Sequence, residues 1–176
     1  GRPLPGVRLS AARGGTRRSP DIGTIWLTDE RLIADGVLAC TGRLAIPGFH
    51  SWSPDSITVD SAWVGLPASL TNLTVAGDVR ISGSGGTLDL GGDTYLTNGI
   101  FRGSPKEFVQ YSEASPGLSF AIGGDLHVTN GAVMNLYAGA AMAGTGDPAV
   151  GAWLRVENRI VVAAGSTLHL HAHPIK

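Results

Sequence analysis

The chain has 176 residues, a formal net charge of −1, 43% hydrophobic residues and only 15% charged ones. That excludes a chain too polar to build a core and a globally basic partner for nucleic acid or an acidic membrane, and it suits one domain. The single cysteine, Cys40, excludes an intrachain disulfide framework, and no apolar run approaches the ~20 residues of a spanning helix.

Residues 1–20, GRPLPGVRLSAARGGTRRSP, form an arm rich in Arg, Pro and Gly. It carries Arg2, Arg8, Arg13, Arg17 and Arg18, with no acidic residue before Asp21. The composition is similar to that of a transit peptide, but the chain starts at Gly1, so a fragment or a processed chain is expected. The arginines are the expected assembly contacts, clasping a neighbouring subunit. Residues 21–176 are expected to form one domain.

IGTIWLTDERLIADGVL (22–38) is loosely strand-like, and only Asp29–Ala39 and Lys106–Tyr111 have spacing that admits a helical turn. Cys40, in VLACTG, reads as a small apolar residue. Trp52 lies beside His50 in the Pro-containing stretch GFHSWSPD, and is the expected exposed carbohydrate contact. Trp26 (TIWLT) and Trp63 (SAWVG) are expected to be buried in strands.

ITVDSAWVGL (57–66) is likewise loosely strand-like, and from about residue 70 onward the chain repeats itself. LTVAGDVRI (73–81) aligns with FAIGGDLHV (120–128) at an offset of 47 residues. GGDTYLTNG (91–99) matches GGDLHVTNG (123–131) at six of nine positions, at an offset of 32. LRVENRIVVAAGSTLHL (154–170) aligns with FAIGGDLHVTNGAVMNL (120–136) at an offset of 34. The shared template is h-x-h-x-x-x-h-x-h-x-x-G-x-x-h-x-h, with h apolar. Each h-x-h is a short strand with one buried face, and the GD, NG and AG pairs supply tight corners. Recurring short strands with similar corners predict an all-β parallel β-solenoid. An antiparallel β-sandwich is the alternative. The stretches 105–117 and 139–151, rich in Gly, Pro, Ser or Ala, are expected loop insertions.

The segments LTVAGDVRISGSGGTLDLGG, FAIGGDLHVTNGAVMNLYAG and LRVENRIVVAAGSTLHLHAHP resemble the repeats of bacterial parallel β-helix surface proteins, including autotransporter passenger-like and large secreted repeat proteins. The resemblance covers roughly residues 70–173. It implies an extracellular or cell-surface location among adhesins, fibres and carbohydrate-active enzymes. It carries over no catalytic residue, because the motif describes a coil and not an activity.

The candidate sites follow from the template. In HLHAHP (169–174) the apolar neighbours point inward, so His169, His171 and His173 point outward. Positions i and i+2 lie about 7 Å apart on a strand face. Two such imidazoles can share a Zn, Cu or Ni ion, whereas three in one extended line fit a tetrahedral site poorly. A solvated outer face is the expectation. Asp78, Asp93 and Asp125 recur at equivalent corners, where Asp after Gly is expected to bond its own turn; the calcium nonapeptide GGxGxDxUx is missing. Two outward columns are predicted, Arg80–His127–Val161 and Asp89–Asn135–His169, and neither reads as a catalytic cluster. No GxSxG elbow occurs, and GSGG (83–86) lacks the lysine and helix of a phosphate loop.

These readings lead to one expectation and one rival. The expectation is a non-catalytic, extracellular structural protein without cofactor, polymerising through its solenoid ends and its arm, with no nucleic-acid partner and no membrane insertion. The rival is a carbohydrate-active β-helix protein acting on or binding a polysaccharide, or a fragment of an adhesin passenger.

Overall fold

The structure is a computed structural model that describes residues 9–11, 23–28, 33, 36, 38, 40–67, 69–91, 118–137 and 152–171. The strands are β1 (Leu9–Ser10), β2 (Thr24–Trp26), β3 (Cys40–Ala45), β4 (Ser51–Trp52), β5 (Ile57–Asp60), β6 (Trp63–Gly65), β7 (Asn72–Val75), β8 (Val79–Ser82), β9 (Thr87–Leu90), β10 (Ser119–Ile122), β11 (Leu126–Val128), β12 (Val133–Tyr137), β13 (Trp153–Val156), β14 (Ile160–Val162) and β15 (Thr167–His171). Among the described residues no helix is long and apolar enough to cross a membrane. The helical turns expected at Asp29–Ala39 and Lys106–Tyr111 fall largely or wholly outside the described residues.

From β3 onward, hydrogen-bonded neighbours are never consecutive strands. One sheet runs β1-β3-β6-β9-β12-β15, with β2 also on β3; a second runs β13-β10-β7-β4; a third runs β14-β11-β8-β5. Every strand pairing among the described residues is parallel, such as β7 on β10 and β10 on β13. A sandwich would pair antiparallel neighbours instead. The chain is therefore a parallel β-solenoid with three faces, whose successive coils are β4-β5-β6, β7-β8-β9, β10-β11-β12 and β13-β14-β15.

The register explains two of the three sequence matches. Leu73 pairs with Phe120 and Phe120 with Leu154, so the offsets of 47 and 34 residues are true coil steps. The offset of 32 is not. Gly91 follows β9 and lies against the Tyr137 carbonyl, whereas Gly123 lies at the corner between β10 and β11. Short corner motifs recur because every corner needs similar turn residues, so local identity does not imply the same place in the coil. Ser51 pairs with Asn72 and Trp63 with Thr87, which sets an uninterrupted coil at 21–24 residues. The longer steps admit extra chain after β9 and after β12. The expected insertions, 105–117 and 139–151, fall in those two intervals and lie outside the described residues.

Alternation fills the interior. In β7, Leu73 and Val75 are buried while Asn72 and Thr74 are exposed. Inward residues stack coil on coil, as in Val79–Leu126–Ile160 and Leu90–Leu136–Leu170. The middle members are sealed, with Leu126 at 0% and Leu136 at 1% exposure. In the last described coil the same positions are open: Ile160 is 51%, Val162 43% and Leu170 65% exposed.

Corners are held between coils. The Asp125 N–H donates to Asp78 Oδ1 at 2.9 Å, and Gly124 must be glycine because a Cβ there would lie 2.2 Å from that same oxygen. Asp78 thus bonds the next coil, which corrects the expectation that it would bond its own turn. On the following corner, Ala132 N–H bonds Thr129 C=O around Asn130 and Gly131, both with positive φ (56° and 78°). This is the turn chemistry that Asn-Gly supplies without strain.

Candidate functional site

The outer face of the long sheet gathers the polar residues that the sequence scattered. Pairing of Arg43 with Gly65, Gly65 with Asp89, Asp89 with Asn135 and Asn135 with His169 makes one outward column over five coils. At about 4.8 Å per coil the column spans about 19 Å. Trp63 stands two residues before Gly65, and Tyr137 and its partner His171 stand two residues beyond Asn135 and His169.

Asp89 organises this face. Trp63 Nε1–H donates to its Oδ2 at 2.5 Å, and Asn135 Nδ2–H donates to its Oδ1 at 2.7 Å. A carboxylate only accepts, so the Asn135 amide is fixed with its oxygen turned away from Asp89. That oxygen lies 3.1 Å from His171 Nε2. The imidazole must therefore carry its proton on Nε2, which leaves the lone pair on Nδ1. His171 also stacks on Tyr137, with ring centroids 4.4 Å apart and 14° between planes. His169 meets His171 edge-on, with centroids 5.3 Å apart and planes at 85°. Partial burial, reinforced by the neighbouring His169, pushes the His171 pKa below its ordinary value. The imidazole is neutral at pH 7.

A second polar cluster sits at the corner between the other two sheets. Arg159 occupies the corner position above Asp125 and bonds it through Nη2 at 2.6 Å. The Arg159 hydrogen bond holds the Asp125 carboxyl below the usual carboxylate range, and the Asp125 N–H does the same for Asp78. Arg80 pairs with Asp78 at 2.6 Å on the surface. His127 Nε2 lies 3.4 Å from Asp125 Oδ2 without a hydrogen bond in suitable geometry. The predicted column Arg80–His127–Val161 is present. Its Arg80 and His127 lie beside Asp78 and Asp125 of their own coils; the coils are tied at the corner instead, where Asp78, Asp125 and Arg159 form a vertical stack. Asp93 lies outside the described residues.

The predicted site residues divide as follows. His169 is exposed and His171 half-buried, both on the outward face of β15, and His173 lies outside the described residues. So do Arg2, Arg8, Arg13, Arg17 and Arg18. Among the described residues no group of three or more His, Cys, Asp or Glu side chains converges on one point. Trp52 is half-buried and packs on Phe49 with centroids 5.9 Å apart, so its loop context misled. The exposed indoles are Trp26 (68%) and Trp153 (49%). Trp26 was expected to be buried; it is outward-facing on β2, beside inward Ile25, which pairs with Leu44. Trp63 is half-buried rather than buried. Cys40 packs against the core, and burial raises its thiol pKa, which suits an apolar filler.

The sequence showed the Asp89–Asn135–His169 column but not the part played by Trp63, Tyr137 and Arg43. The available signal was the step of 24 residues from Trp63 to Thr87, which places the indole beside Asp89. Comparison with protein-family models, curated proteins and solved structures finds no match to this chain.

Proposed function

We propose that the chain is a non-catalytic structural subunit of an extracellular assembly, stacking end to end into a surface filament, sheath or layer. One observation carries this reading. The coil β13-β14-β15 presents Ile160, Val162 and Leu170 at 51%, 43% and 65% exposure, directly above residues that are fully buried one coil below. The apolar pattern is that of a surface built to receive another coil. Each aliphatic side chain gains on the order of 1 kcal/mol when half its area is removed from water. Among the described residues no strand pairs with the outer edges of β13, β14 and β15, and a further parallel strand would satisfy such edges. Because pairing throughout is parallel, a second copy docked head to tail continues the coil order, and such a contact repeats into an open polymer. The surface location rests on the resemblance to bacterial β-helix surface proteins.

Sedimentation velocity over a range of concentrations, with electron microscopy of the same samples, tests this. Growing oligomers and fibres that Ile160→Glu together with Leu170→Glu abolish are the expected result. A monomer at every concentration refutes self-assembly and favours a longer chain that covers its own coil.

A second reading is favoured by the ladder face, where Arg43, Trp63 and Asp89 share one sheet surface. That combination suits an extended polysaccharide lying along the coil axis. Binding to a panel of acidic and neutral polysaccharides that Trp63→Ala weakens is its signature, and release of unsaturated sugars would make the protein a lyase.

A further inference from the structure

The ladder is internally satisfied along most of its length. Both Asp89 oxygens accept, and both ends of the Asn135 amide are used. What remains open is imidazole nitrogen: Nδ1 of His171, and the ring of His169, which makes no hydrogen bond among the described residues. We infer that His169 and His171 bind one late first-row divalent cation on the outer face of β15, with Asn135 and Asp89 as the supporting shell.

The geometry fits. Two imidazoles bound to one metal at about 2.0 Å place their ring centroids about 4.5 Å apart at adjacent square-planar positions and about 5.2 Å apart in a tetrahedron. The observed separation is 5.3 Å, with the ring planes at 85°. A ligating histidine usually gives its other N–H to a carboxylate or carbonyl, which fixes the tautomer and raises its basicity. His171 makes that contact already, from Nε2–H to the Asn135 oxygen at 3.1 Å, and Asp89 anchors the amide at 2.7 Å. Its donor atom to the metal is therefore Nδ1. Imidazole suits Cu, Ni and Zn, with Cu²⁺ the tightest of the series. Water completes the coordination, since no third protein ligand converges among the described residues.

Titration calorimetry with Cu²⁺ and with Zn²⁺, in a buffer that does not bind metal, tests the site on the wild-type chain. Electron paramagnetic resonance on the Cu²⁺ form reads the number of coordinated nitrogens. One Cu²⁺ per chain with two imidazole nitrogens is expected. His169→Gln and His171→Gln should each weaken binding by about tenfold or more and leave one imidazole. Asn135→Ala should weaken it by about tenfold, and nitrogen NMR of the metal-free protein should show the single His171 tautomer become mixed. His173→Ala should leave affinity within about twofold, since two imidazoles suffice here. Unchanged affinity in both His169→Gln and His171→Gln overturns the site, as does loss of binding in His173→Ala. The assay needs no polymer, so its failure leaves end-to-end stacking untouched.

Discussion

Asn135 sits between a carboxylate and an imidazole, and only an amide serves both. It donates to Asp89 and accepts from His171. Alanine there removes two hydrogen bonds and leaves two half-buried polar groups short of a partner, so Asn135→Ala should cost about 1–3 kcal/mol in urea unfolding. Asn135→Asp is the sharper probe. It sets a second carboxylate beside Asp89, so it should be less stable than the alanine variant at pH 7, and the gap should close towards pH 4 as one carboxylate takes a proton. His171 supplies a separate pH dependence. Its folded pKa is lowered, so the unfolded chain binds the proton more readily. Its contribution to stability is complete above the unfolded value of about 6.5 and is lost as pH falls through that value towards the folded one. His171→Gln keeps a donor for Asn135 and does not titrate, so comparison with wild type should show a shallower loss of stability below pH 6.5.

Strands and corners were legible to different degrees. The inward faces could be read from the chain because an h-x-h strand has only two sides, and Leu73, Phe120 and Leu154 fall on the same one. The outward columns followed from the same registers. Side-chain reach did not: the Trp63 indole crosses to a neighbouring column to meet Asp89, and Gly65 stands between Arg43 and Asp89 in theirs. Template spacing carries no information about rotamers. Corner identity was also misleading, since GGD occurs after β9 and again before β11. Trp52 shows the limit of composition, because in a Pro-containing stretch it still ends a strand and packs its ring on Phe49. The coil position of a residue governs what a substitution costs. Leu136 and Leu170 share a column, but one is 1% and the other 65% exposed. Leu136→Ala should cost about 2–5 kcal/mol and Leu170→Ala less than about 1 kcal/mol in the isolated chain. Under the proposed stacking the second cost should rise in assembled material, because the open coil would then be covered.

At the scale of the whole molecule, each coil touches only the one before and the one after. The order of the long sheet, β1-β3-β6-β9-β12-β15, is a line and not a closed ring. Stability in such a body is a sum of coil terms and nearest-neighbour terms. An interior coil has two neighbours, whereas β13-β14-β15 has one among the described residues. Amide exchange should therefore be graded along the axis, fastest in β13, β14 and β15 and slowest in β8 and β11, as expected when local opening is cheapest where the fewest contacts must break. A uniform exchange rate along the axis would mean that the coils open as a single unit. The graded outcome would have a kinetic consequence for the proposed stacking: the last described coil would fray and reseal continually, so the surface proposed to add a neighbour would also be the part of the fold least committed to its own shape. Growth would then be a zipper, in which each arriving coil is ordered by the one beneath it and in turn orders the next.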